Sequence, residues 1–106
     1  MRISATRGRG NGDIKISIVN EDFADEFLRL SSRAQKEFDR FAKILQDTGN
    51  PYSPEIQHKC VMRGNDRFEY PLKDGYFLLW KVYSRPVQHS ELHFEMEVLL
   101  LSLERN

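Results

Sequence analysis

The chemistry-bearing residues of this chain are few and unevenly placed. His89 and His93 stand in an H-x-x-x-H spacing, which on a helix would bring two imidazoles to one face within reach of a single metal ion. The surrounding residues alternate instead, with Leu92, Phe94, Met96, Val98 and Leu100 against His89, Glu91, His93, Glu95 and Glu97. That pattern predicts a strand, in which a rise of about 3.3 Å per residue sets the two imidazoles roughly 13 Å apart, too far to share an ion. No metal site is expected. Strings that would cradle a nucleotide phosphate (G-x-x-x-x-G-K-[ST], G-x-G-x-x-G) or present a nucleophile (G-x-S-x-G) are absent, so no cofactor is expected either. What is left is His58, Lys59, Arg63 and Arg67, followed by Lys73, Lys81 and Arg105, with Tyr70 and Tyr76 among them. Cations interleaved with aromatic rings suit a groove that grips a nucleic-acid backbone and stacks exposed bases. Yet between Glu55 and Lys81 five Lys+Arg meet four Asp+Glu. An ordinary mixed-charge surface accounts for that segment as well as a binding patch does.

Composition bounds the alternatives. The 106 residues are 40% hydrophobic and 11% aromatic, enough for one cored domain and too apolar for a disordered chain. Sixteen Lys+Arg against sixteen Asp+Glu exclude binding to nucleic acid or anionic lipid by bulk charge, so any such binding needs a local patch. The single cysteine, Cys60, has no intramolecular disulfide partner and is expected to serve as a small buried hydrophobe. No apolar run approaches the length needed to span a bilayer, and a soluble cytoplasmic protein with no membrane partner is expected.

The elements that must position these side chains follow from periodicity. Residues 1–12 combine Arg2, Arg7 and Arg9 with three glycines and no hydrophobic period, and read as a flexible basic arm. Ile14, Ile16 and Ile18 alternate as a strand. Phe23, Phe27 and Leu30, behind the helix-capping types Asn20 and Asp22, predict a short helix. Ser32-Arg33-Ala34-Gln35 fits a capping box, in which the Ser side chain accepts from a free backbone N–H and the Gln reaches back. It would open a second helix with Ala34, Phe38, Phe41, Ala42 and Leu45 on one stripe and Gly49 with Pro51 as its stop. Joined by about two residues, the helices should form an αα-hairpin. Residues 50–64 read as a loop with a helical turn near 55–59. Then come a strand at 67–72 with Pro71 marking an end or edge, an Asp74-Gly75 hairpin turn, an almost wholly apolar central strand at 76–83 covered on both faces, and a last strand running on from His89. The order is β-α-α-β-β-β, an α+β domain over residues 13–106 with a largely antiparallel sheet of three or four strands and the helical hairpin on one face.

A strand, a hairpin whose second helix reads SSRAQKEFDRFAKIL, a loop ending in HKCVMRG, then RFEYPLKDGYFLLWKVY and a final EVLLLSLER resemble the RelE/ParE superfamily of bacterial toxin-antitoxin toxins, over residues 13–105. The resemblance implies a twisted antiparallel sheet with helices on one face and a functional groove on the other. It implies a ribosome-dependent mRNA endoribonuclease that works without metal. Lys and Arg would stabilise charge at the phosphate while a base deprotonates the ribose 2′-OH. For ParE-like members it implies inhibition of DNA gyrase, and for both kinds neutralisation by a cognate antitoxin protein. On this chain Arg63, Arg67 and Arg105 would be the catalytic cations, His58 or Tyr76 the acid/base candidates, and Lys59, Lys73 and Lys81 the RNA-phosphate contacts.

The match departs from the family where charge matters most. The strand YFLLWKV has Phe77 where the family places an arginine, and the preceding strand offers Glu69 and Pro71 where cations are common. Losing one charge-assisted contact to a developing anion typically costs about 3–4 kcal/mol of transition-state stabilisation. Phe77 and Leu79, sharing a face with Lys81, would make the groove partly apolar, which suits a partner helix or a second copy of the chain better than RNA. A non-catalytic binding module of the same fold, engaging gyrase or an antitoxin, is therefore the competing expectation, followed by an unrelated small α+β interaction domain.

Overall fold

The strand that precedes the helices, near the start of the chain, lies parallel to the strand that ends it. The computed structural model describes residues 6–7, 13–83, 87–89, 92–94 and 96–106, with backbone alone at 6–7, 13, 87–89 and 92–94. The elements are β1 (Thr6–Arg7), β2 (Asp13–Ile18), α1 (Phe23–Leu28), α2 (Ser32–Thr48), α3 (Pro54–Gln57), β3 (Val61–Gly64), β4 (Arg67–Pro71), β5 (Tyr76–Tyr83), β6 (Val87–His89), β7 (Leu92–Phe94) and β8 (Met96–Arg105). The result is an α+β fold. Five strands, extended by the two-residue β1, form one mixed sheet in the order β1-β2-β8-β5-β4-β3, and β6 pairs with β7 separately.

Several expectations are corrected. The sheet is larger than three or four strands, because the supposed loop at 50–64 ends in β3, which pairs antiparallel with β4, Val61 opposite Glu69. A four-residue strand without period-2 burial leaves no hydrophobic trace. The run from His89 is not one strand. β6 and β7 form an antiparallel pair with His89 opposite Leu92 and Gln88 opposite His93, so the straight-strand separation of the two histidines does not apply, and their side chains lie outside the described residues. Alternation records that neighbouring side chains face opposite ways, not that a strand runs straight. Residues 1–5 and 8–12 of the expected arm also lie outside the described residues, while Thr6 and Arg7 pair with Ile14 and Asp13.

One side of the sheet carries the core. Tyr70, Leu78 and Leu103 form one cross-strand row, Phe68, Trp80, Leu100 and Ile18 a second, and Val82, Val98 and Ile16 a third. All except the half-buried Ile18 are buried. Helix α2 lays its stripe across these rows. Phe41 meets Tyr70 and Trp80 edge-on at 4.9 and 5.1 Å between ring centroids, and Phe38 takes Phe23 and Phe27 of α1, arrangements favoured by the ring quadrupoles.

The helix boundaries are set by side-chain chemistry. The N-cap of α2 is Ser31, not Ser32, its Oγ accepting from Ala34 N at 3.2 Å. Gln35 donates to the Phe27 carbonyl at 3.0 Å instead of closing a capping box, a second bond to an acceptor that already takes the Leu30 N–H at the end of α1. Gly49, with φ 61°, ends α2 in the left-handed conformation that glycine adopts without Cβ strain. Asp74 (φ 59°) and Gly75 (φ 80°) turn β4 into β5 as the Asp-Gly pair predicts. Ser31 Oγ also donates to Asp74 Oδ2 at 2.6 Å, tying the start of α2 to that turn. Strand β8 has a register shift opposite Leu79 and Trp80. Just past it, where β2 no longer runs alongside, the Leu103 N–H donates to Glu26 of α1 at 3.1 Å, so a helix carboxylate completes the strand.

Candidate functional site

Directly opposed residues on neighbouring strands share a face, so the register places each expected site residue. Arg67, Lys81, Leu99 and Ser17 form one row on the side of the sheet away from the helices; Val61, Glu69, Leu79 and Ser102 form the next, and Pro71, Phe77 and Glu104 a third. On β5 the inner residues Leu78, Trp80 and Val82 are buried, while Phe77, Leu79, Lys81 and Tyr83 are half-buried. The expectation of a central strand covered on both faces thus holds fully for one face and halfway for the other.

Arg63, Lys81 and Lys15 on this outer face are engaged. Arg63 grips Glu69 with both prongs, Nε 2.9 Å from Oε1 and a terminal guanidinium nitrogen 3.0 Å from Oε2, the planar fork geometry that makes Arg–carboxylate pairs specific. Lys81 lies over the Tyr83 ring at 5.0 Å. Lys15 pairs with Glu97 at 3.5 Å, and Glu97 also accepts from Ser17 at 2.7 Å. Arg105 and Tyr76 sit together at the end of the sheet, the guanidinium 5.2 Å from the ring centroid, and the Tyr76 hydroxyl donates to the Arg29 carbonyl. His58 is the exposed C-cap of α3, apart from all of these. The expected nuclease set is therefore distributed: Arg63, Arg67 and Lys81 on the outer face around Phe77 and Leu79, Arg105 with Tyr76 at its end, and Lys59 and Lys73 on the helix side.

The helix side holds a cluster that reading the cations alone missed. Glu37 of α2 is only 5% exposed. Its Oε2 accepts from the buried Tyr70 hydroxyl at 2.9 Å and from Lys59 Nζ at 3.3 Å, while Arg40 stands 3.8 Å from Oε1. Burial works against the charge on Glu37, but the Tyr70 hydrogen bond, Lys59 and Arg40 together outweigh it and hold the carboxyl below its ordinary value. Burial, then the bond to Glu37, push the Tyr70 phenol upward. The Lys59 ammonium also lies 5.8 Å from the Tyr70 ring centroid. Beside this group opens a pocket of about 180 Å³ lined by Arg33, Lys36, Glu37, Arg40 and Lys73. One signal for it was legible: Glu37 falls between Ala34, Phe38 and Phe41 on the apolar stripe of α2, and a carboxylate inside such a stripe must find partners in the core.

Cys60 is half-buried and not fully buried as expected, and burial pushes its thiol up to about 11. Trp80 Nε1 and Ser53 Oγ are buried without a conventional hydrogen-bond partner among the described residues. Among the described residues no group of three His, Cys, Asp or Glu is arranged to hold a metal ion, and no helix is long and apolar enough to cross a membrane. Compared with known proteins, the chain matches no family model, no curated protein and no solved structure.

Proposed function

We propose that this chain is a RelE/ParE-like protein that acts by binding a partner polypeptide and not by cleaving RNA. The observation that carries this reading is the separation of the expected cations. Cleavage at a phosphate needs donors converging on one developing charge within hydrogen-bond distance. Lys59 and Lys73 face the helix side, Arg63 and Arg67 the other, and Arg63 is neutralised by Glu69. What the outer face offers in one place is apolar area, Phe77, Leu79 and Leu99, bordered by Arg67 and Lys81. An apolar centre with a charged rim suits a helix or strand of a polypeptide partner such as an antitoxin or an enzyme target. Val61, 51% exposed on the edge strand β3 and opposite Glu69, extends that surface.

Inducible expression in a bacterium, followed by mapping of mRNA 5′ ends on translating ribosomes, tests the reading. Growth inhibition is expected without new 5′ ends, relieved by Leu79→Glu but not by Arg63→Ala. New cleavage sites that vanish with Arg63→Ala or Arg67→Ala would restore the nuclease, and harmless accumulation of folded protein would remove the toxin class.

A further inference from the structure

We propose that the pocket between α2 and the β4–β5 turn is a binding site for a phosphate ester. This goes beyond the outer-face reading and does not depend on it, since the two surfaces lie on opposite sides of the sheet.

Three observations converge on an anion. The pocket is lined by Arg33, Lys36, Arg40 and Lys73 against the single carboxylate of Glu37, in a chain whose overall charge is zero. Arg33 is shared with Asp74 at 3.5 Å and Arg40 stands near Glu37, but Lys36 and Lys73 make no ion pair with any described residue. They keep their charge for a ligand.

The second observation is the polarity of α2. It has no acidic residue in its first turn and no basic residue in its last, the reverse of what its dipole favours; Arg33 stands at the positive end and Asp47 near the negative one. Each such misplacement forgoes about 0.3–1 kcal/mol. Local arrangements that oppose stability concentrate at functional sites, and an anion seated beside Arg33 and Lys36 would reverse the penalty.

The third is the floor. Glu37 is a buried carboxylate, fixed by Tyr70 and Lys59 through Oε2, so it holds Lys59 and Arg40 in place from below. Its Oε1 stands 3.8 Å from Arg40 and accepts no hydrogen bond from a described residue, which leaves it able to take one from a ligand hydroxyl. The four cations outnumber the one carboxylate and so favour the more highly charged anion. A carboxylate brings one negative charge to them, whereas a phosphate monoester brings about −1.5 to −2 and three acceptor oxygens, and the guanidinium forks of Arg33 and Arg40 match that geometry. A volume of about 180 Å³ accommodates a phosphate with part of a sugar, not a folded segment.

The test is a titration of the ¹⁵N-labelled full chain with inorganic phosphate, adenosine 5′-monophosphate, adenosine, a short single-stranded RNA and a poly-glutamate peptide. Phosphate and the monophosphate should shift amides of residues 33–40 and 73–75, and adenosine should not. Lys36→Glu combined with Lys73→Glu should weaken monophosphate binding about ten-fold or more, while the pair Lys36→Arg and Lys73→Arg retains it. Both lysines are exposed, so an unchanged melting temperature verifies that the variants fold. Arg67→Glu with Lys81→Glu, on the opposite face, should leave binding intact. RNA bound through Lys36 and Lys73 far more tightly than the monophosphate would identify a strand as the source; equal affinity would identify a small phosphorylated molecule. Binding indifferent to Lys36 and Lys73, binding of adenosine as strong as that of its monophosphate, or tighter binding of poly-glutamate would each overturn the proposal.

Discussion

The Tyr70 hydroxyl donates a 2.9 Å hydrogen bond to Glu37 across thirty-three positions of sequence, joining the middle of α2 to the middle of β4 inside the core. The bond gives a carboxylate that is only 5% exposed a partner inside the core. Tyr70→Phe removes the donor without changing packing, so it isolates the bond. Hydrogen bonds to charged groups contribute about 1.5–3 kcal/mol, and a loss of that size is expected in the unfolding free energy from urea denaturation.

Glu37 also sets an acid response. Its carboxyl is held below the ordinary 4.5 in the folded chain, so the unfolded chain takes up the proton first as the pH falls. The stabilisation from the ionised form is complete above the unfolded value and is lost as pH falls through the lower folded one. Urea denaturation between pH 7 and pH 3 should show stability declining below about pH 4.5. Glu37→Gln should flatten that decline; an identical slope would show that other carboxylates carry it.

Ser31 serves two elements at once, capping α2 through Ala34 N and bonding Asp74 in the β4–β5 turn. Ser31→Ala is expected to cost about 1–2 kcal/mol, at the upper end for a helix cap because both contacts go. Ser31→Asp keeps the cap but meets Asp74 with like charge, so it should recover only part of the loss in thermal denaturation.

Glu69 restrains Arg63 by a two-pronged pair on an exposed edge. Such surface pairs contribute about 0–1 kcal/mol, so Glu69→Ala should leave the melting temperature nearly unchanged. Released, Arg63 would be available to an anion. If partner binding on the outer face uses Arg63, Glu69→Ala should alter the salt dependence of that binding and Arg63→Ala should remove the difference.

Legibility differed by element. The Ile14-Ile16-Ile18 alternation, the Phe38-Phe41-Leu45 stripe and the Asp74-Gly75 turn all reappear in the fold, because local periodicity and backbone sterics act within a few residues. β3 was hidden, since it presents four exposed residues to solvent and owes its extended form to pairing with β4. The β6–β7 pair was read as the start of β8 because alternation survives a hairpin unchanged. The capping-box spacing points to Ser32, and the fold uses Ser31, whose hydroxyl accepts from Ala34 N and also reaches Asp74.

By itself, then, the sequence determined the class of the domain, the identity of its central strand and most of its core, and it ruled out binding by net charge, all of which depend on composition and short-range period. Only the tertiary structure decided which cations stand together. The alternation of β4 and β5 sends Arg67 and Lys81 to one side of the sheet, while α2 and the turn carry Arg33, Lys36, Arg40 and Lys73 to the other. Charges far apart in the chain acquire a common field only when packing brings them within a few ångströms, and that distance is a property of the fold.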